Sequence, residues 1–175
     1  MIRRLAFALL VIVAATGCAT MSVSSHMEPN LTTSNYRTFG WAKPDVLPAG
    51  DARLEQNAFF KDHIEGAVEK EFGARGLTMS DTPDLLVHYH AVITPRLDVN
   101  RLDRESGYCY DEDCSARVFE YEQGTLVIDI VDAKTKRVIW RGWSQETVAP
   151  LLKNQDRMAK DIDTAVQRML ARFPR

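Results

Sequence analysis

Gly124 to Trp143, GTLVIDIVDAKTKRVIWRGW, decides the fold. Two runs rich in β-branched and aromatic side chains flank the polar break Asp132-Ala133-Lys134-Thr135-Lys136. That pattern predicts a β-hairpin with a four- or five-residue loop. Strand side chains alternate with period two, so Leu126, Ile128 and Ile130 share one face. On the second run Val138 and Trp140 share a face, while Ile139, Arg141 and Trp143 take the opposite one. A face of Leu, Ile, Ile, Val and Trp must be covered.

Two stretches of helical period supply the cover. From about Ala52 to Arg75, Phe60, Ile64, Ala67, Val68 and Phe72 form one stripe, with Asp51 as cap and Gly76 as stop. Gly66 either weakens this helix by roughly 1 kcal/mol relative to Ala or permits close approach to the sheet. From about Asn154 to Phe173, Met158, Ile162, Ala165, Val166, Met169 and Phe173 mark a second stripe. Tyr36 to Trp41, Leu77 to Met79 and Leu85 to Thr94 complete the strands. Pro95 to Val118 is dense in charge and without a period; a loop of that length is usually functional or mobile. The order β-α-β-β-β-β-α predicts one α+β domain, with a mainly antiparallel sheet of about five strands and both helices on one face.

The 175 residues suffice for one domain, and 45% apolar with 26% charged residues is ordinary globular composition. Arg3-Arg4 followed by the apolar run Leu5 to Ala14 reads as a secretory signal, too short to span a bilayer. The run ends in Ala15-Thr16-Gly17-Cys18, which resembles a bacterial lipobox with Ala15 in the usual Leu position. The alternative is an ordinary signal peptide cut near Ala15 or Ala19. The lipobox reading divides the chain into a signal peptide over 1–17, a lipidated N-terminus and flexible tether over 18–33, and a folded domain over 34–175. Ala19, where an Asp would mark inner-membrane retention, directs the protein to the outer membrane, facing the periplasm. Loss of Arg3 and Arg4 leaves 20 basic against 24 acidic side chains, a net charge of −4. No basic stripe emerges, which argues against nucleic acid as a partner.

Three groups could carry chemistry. Cys109 and Cys114 flank an acidic tetrapeptide, and with Cys18 acylated they are the two remaining thiols. An oxidising compartment favours a disulfide between them; a metal clip with Asp111 or Asp113, or free thiols, are the alternatives. His88 and His90 lie two apart on one strand face, a spacing that can place two imidazoles on one metal. The bland reading is two hydrogen-bonded strand histidines, and His63, beside the helical stripe, is poorly placed to join them. Asp129 interrupts an apolar strand, and a half-buried carboxylate is costly unless paired. One hairpin register sets it opposite Arg141; a one-residue slip sets it opposite Trp140. A structural ion pair outweighs a catalytic acid there. The sequence holds no Gly-rich phosphate loop, GxSxG or HExxH.

Several stretches together resemble a family of bacterial lipoproteins, the domain-of-unknown-function family 4136. They are Tyr36-Arg37-Thr38-Phe39-Gly40-Trp41, Pro83-Asp84-Leu85-Leu86-Val87 with Tyr89-His90, Gly124 to Asp129 through Trp140-Arg141-Gly142-Trp143, and Arg172-Phe173-Pro174. The resemblance implies a lipid-anchored envelope protein of α+β build, with no catalytic residue to carry over; the Cys109–Cys114 loop departs from the family pattern. The expected function is therefore non-enzymatic, without cofactor. It is binding of an envelope partner through the helix-free sheet face, with Asp129, Arg141 and Trp143 as the candidate surface, or through the loop over 95–118. A metal-dependent factor or enzyme built on His88 and His90, or a carrier of a small apolar ligand, are the competing expectations.

Overall fold

The computed structural model describes residues 21–43, 50–98 and 119–174. At its centre is the expected hairpin, between the long strands Phe119–Asp132 and Val138–Thr147. Asp132 closes its turn: the carboxylate accepts from the backbone N–H of Lys134 and Thr135, and Lys136 takes a positive φ of 60°. These bonds hold the Asp132 carboxyl below its usual range, led by the backbone bond from Thr135.

In chain order the elements are β1 (Ser22–Met27), β2 (Thr38–Trp41), α1 (Ala52–Glu55), α2 (Ala58–Gly73), β3 (Thr78–Met79), β4 (Leu85–Asp98), β5 (Phe119–Asp132), β6 (Val138–Thr147) and α3 (Gln155–Leu170). The sheet order is β1-β6-β5-β4-β2-β3. Among the described residues the sheet therefore has six strands where about five were expected, with three helices where two were expected, and it is mixed rather than mainly antiparallel. β1, β6, β5 and β4 are antiparallel neighbours, whereas β2 runs parallel to both β4 and β3. The parallel part follows from the helix between β2 and β4, because a helical crossover returns the chain in the same direction.

Residues 18–33 are not simply a tether. Ser22–Met27 pairs antiparallel with β6, Ser22 opposite Gln145 and Met27 opposite Trp140, and Met21 is already buried. The expected single helix over 52–75 is two. Asp51 caps α1 as anticipated, and Asn57 then caps α2 by accepting from the backbone N–H of Phe60. The anticipated apolar stripes of α2 and α3 are buried throughout, and Gly76 ends the first helical segment with a φ of 80°. A side chain at Gly66 would meet nothing, so that glycine does not serve close packing.

Both long helices cover one face. Phe72 of α2 packs edge-on against Phe39 of β2 with centroids 4.9 Å apart, and Phe173, just past α3, packs against Trp140 of β6 at 5.7 Å. The segments between elements are bonded in as well. The Asp84 carboxylate accepts from the backbone N–H of Arg37 and Thr38, joining the start of β4 to β2. Arg75 donates to the C-terminal carbonyls of Leu170 and Phe173, tying the two helical ends together.

Candidate functional site

Hairpin register decides the chemistry of the uncovered face. Asp129 lies opposite Arg141 and Ile130 opposite Trp140, after which the pairing jumps to Val131 opposite Val138. Ile139 is thus an extra residue on β6, a β-bulge. The bulge separates Val138 from Trp140, contrary to the simple alternation: Trp140 is fully buried beneath the helices, while Val138 is 47% exposed.

The Asp129–Arg141 pair forms as the favourable register requires. Arg141 Nε donates to Asp129 Oδ1 and Nη2 to Oδ2, both at 2.6 Å, a bidentate fork. Asp129 is only 5% exposed although none of the described helices covers it, and the hydrogen bonds to it push the Arg141 guanidinium pKa upward. Register extends the row: His26 of β1 lies opposite Arg141, and His88 of β4 lies opposite Asp129. Beside the pair is a groove of about 740 Å³ whose lining includes Leu86, His88, Val131, Lys136, Val138 and Arg141. Trp143, opposite Val127 and Ser24, lies further along the same face, half-buried and outside that lining.

The other sequence candidates separate. His90 Nδ1 lies 2.9 Å from Glu55 Oε1, and the other oxygen of that carboxylate accepts from Gly50 N–H. His90 thus anchors α1 to the edge of β4 instead of joining His88. His63 is on α2, its ring stacked on Phe59 at 3.9 Å and its Nδ1 2.8 Å from the Phe59 carbonyl. Among the described residues no group of three or more His, Cys, Asp or Glu side chains is arranged to hold a metal. Cys18, Cys109 and Cys114 lie outside the described residues, as does most of the expected loop over 95–118; its first four residues continue β4. Between helices and sheet lies a cavity of about 60 Å³, lined by Leu54, Phe60, Leu126, Met158 and Ile162 among others.

Sequence reasoning missed His26, Lys136 and Val138 as members of this surface. His26 was hidden in a polar stretch with no strand period, and Val138 by a bulge that no residue type announces.

The family model for the Domain of unknown function (DUF4136) matches residues 23–175. The chain belongs to that family. The match begins within β1, in agreement with a folded domain that includes this strand, and it indicates no enzymatic family. A search of the curated proteins found no match. Among solved structures, a PDZ domain protein from Parabacteroides distasonis ATCC 8503 superposes with a TM-score of 0.54 at 18% identity, covering 89% of this chain and 36% of that one. The chain thus spans little more than a third of that protein, and the likeness shows fold alone. PelC from Paraburkholderia phytofirmans, solved as a dodecamer, aligns at 9% identity with a TM-score of 0.47, covering 86% of this chain and 95% of that one. So remote a likeness carries no functional argument. What the DUF4136 domain offers chemically, among the described residues, is a sheet face that no helix covers, with a fixed ion pair between buried Asp129 and half-exposed Arg141 and a groove beside it.

Proposed function

We propose that this DUF4136 protein is a non-enzymatic lipoprotein, anchored by acylated Cys18 in the outer membrane and facing the periplasm, that binds an envelope protein partner through its helix-free sheet face. The observation that carries this reading is the groove beside Asp129–Arg141. Its volume is about 740 Å³, its walls mix Leu86, Val131 and Val138 with charged side chains, and no element of the described chain fills it. Apolar surface rimmed by fixed polar groups is the usual form of a protein-binding patch. The alternative of a small apolar ligand held between helices and sheet is disfavoured, because the cavity of about 60 Å³ there is well below the roughly 300 Å³ at which ligand pockets begin. A metal centre on His88 and His90 is disfavoured by the bond between His90 and Glu55.

The test is capture from intact envelopes by crosslinking. Val138→Asp should abolish a partner recovered with the parent protein while leaving the unfolding midpoint unchanged, since Val138 is exposed; Trp143→Ala should weaken recovery. An unchanged set of crosslinked proteins from both variants would sink the reading. Labelled palmitate should enter the parent chain and not Cys18→Ser.

A further inference from the structure

We infer that the β1 edge of the sheet, together with the adjoining surface of α3, rests against the anionic headgroups of the bilayer that holds the lipid anchor. The inference rests on acylation of Cys18 and adds an orientation to it.

The length of the link carries the argument. A tether of sixteen residues would let the domain wander tens of ångströms from the membrane. Instead Met21 is buried in the core, its carbonyl accepts from the Arg168 guanidinium of α3, and Ser22 begins β1. Only Ala19 and Thr20 separate Cys18 from Met21. Three peptide steps span at most about 10 Å, at roughly 3.5 Å per residue. An acyl group in the bilayer therefore pins the beginning of β1 at the headgroup level. Among the described strands β1 is the outermost on its side of the sheet, and β3 the outermost on the other. Five inter-strand spacings of ~4.8 Å put β3 roughly 24 Å from β1. The sheet thus stands edge-on, with β1 down and β3 away from the membrane.

Charge agrees with that direction. The mature chain is acidic overall, yet α3 beside β1 is balanced at three basic and three acidic side chains, and Lys153 and Arg172 flanking it bring that end of the domain to five against three. α2, the helix farther from the anchor, carries two basic against four acidic. Basic side chains close to an anionic leaflet are attracted within a Debye length, and acidic ones are repelled. The orientation also leaves the groove open. Leu86 and His88 belong to β4, fourth in order from the membrane-facing strand, so a partner reaches them without displacing lipid.

The experiment uses the full mature lipoprotein, reconstituted through its own acyl chains into vesicles of phosphatidylethanolamine and phosphatidylglycerol. A photoreactive benzophenone residue is placed singly at Ser22 or Arg168, or at the exposed Thr78 or Lys70 on the far side. Lipid adducts are expected at Ser22 and Arg168, with only background at Thr78 and Lys70. Inserting a flexible Gly/Ser segment after Thr20 should bring all four positions to background while acylation persists. Equal lipid adducts at all four positions, adducts to a second copy of the chain at Ser22, or no response to the insertion would each overturn the orientation. Palmitate incorporation measured on the same samples separates the two ideas. Acylated protein with uniform adducts sinks the orientation alone, whereas unacylated protein sinks the anchor and the orientation with it.

Discussion

Removing Arg141 should cost more than removing Asp129, and removing both should cost less than removing Arg141 alone. The asymmetry comes from burial. Asp129 is 5% exposed, whereas the Arg141 side chain is 50% exposed. Arg141→Leu leaves a carboxylate enclosed by strand side chains with neither of its 2.6 Å donors. A fully buried pair broken in this way loses ~3–5 kcal/mol; water reaching the vacated, half-open guanidinium position reduces that to ~2–3 kcal/mol. Asp129→Leu leaves a cation that can turn into solvent, at a cost of ~1 kcal/mol. The double Leu variant replaces the pair with cross-strand apolar contact and should fall within ~1 kcal/mol of the parent. Coupling between the two sites is then ~2–4 kcal/mol in a double-mutant cycle.

Urea unfolding of the mature protein reads this directly. With a denaturant slope of ~2 kcal/mol/M for a chain of this size, Arg141→Leu should lower the midpoint by about 1–1.5 M. A shift below about 0.3 M, or a double variant that merely adds the two single losses, would refute the account of the pair as a mutually dependent buried unit. The same double variant separates fold from function: if it is stable yet captures no partner, the charges themselves take part in recognition.

Stability should fall at alkaline pH through Tyr36 and Tyr89. Burial pushes each phenol to about 12 from an ordinary value near 10, aided at Tyr36 by its hydrogen bond to the Asp132 carboxylate and at Tyr89 by the nearby Glu65 charge. A raised folded-state value means the contribution is complete below pH ~10 and is lost as the pH climbs to about 12. Tyr36→Phe should flatten part of the decline in unfolding free energy across that window, and Tyr36→Phe/Tyr89→Phe more of it; an unchanged slope would remove the cause assigned here. Gly142→Ala should destabilise by ~2–3 kcal/mol, since its Cβ would lie 2.2 Å from the ring of Trp140, which is held beneath Phe173 and cannot swing away. A midpoint equal to the parent's would show that the ring yields. Gly66→Ala should instead raise stability by ~0.5–1 kcal/mol, because its Cβ points into open space on a helix interior; thermal unfolding checks the sign.

The contrast between these two glycines shows where residue type stops being informative. Gly142 stood out in the sequence within Trp140-Arg141-Gly142-Trp143, but the reason for it, an indole lying across the glycine two residues on, appears only once the strand is folded. Gly66 invited a packing explanation and has none. The helical stripes were legible because burial on one side of a helix repeats over four turns, and the ion pair was legible because an Asp in an apolar strand demands a partner. β1 was not legible. An edge strand needs only one row of backbone hydrogen bonds and one shallow apolar contact, here Val23, so Ser22–Met27 can be polar and still be held. Its residues are those of a tether, and what makes them a strand is the unpaired edge of β6 beside them. The bulge at Ile139 is hidden for the same reason: it depends on the pairing, and it turns Val138 from an expected core residue into part of the exposed wall beside Arg141. Both omissions fall on the features that shape the outer surface. β1 fixes how closely the N-terminal end of the chain is held to the sheet, and the bulge fixes which side chains the outer face presents. A reading of the strands one at a time therefore recovers the core well and the working surface poorly, because the core follows from each segment's own period while the surface follows from the register between segments.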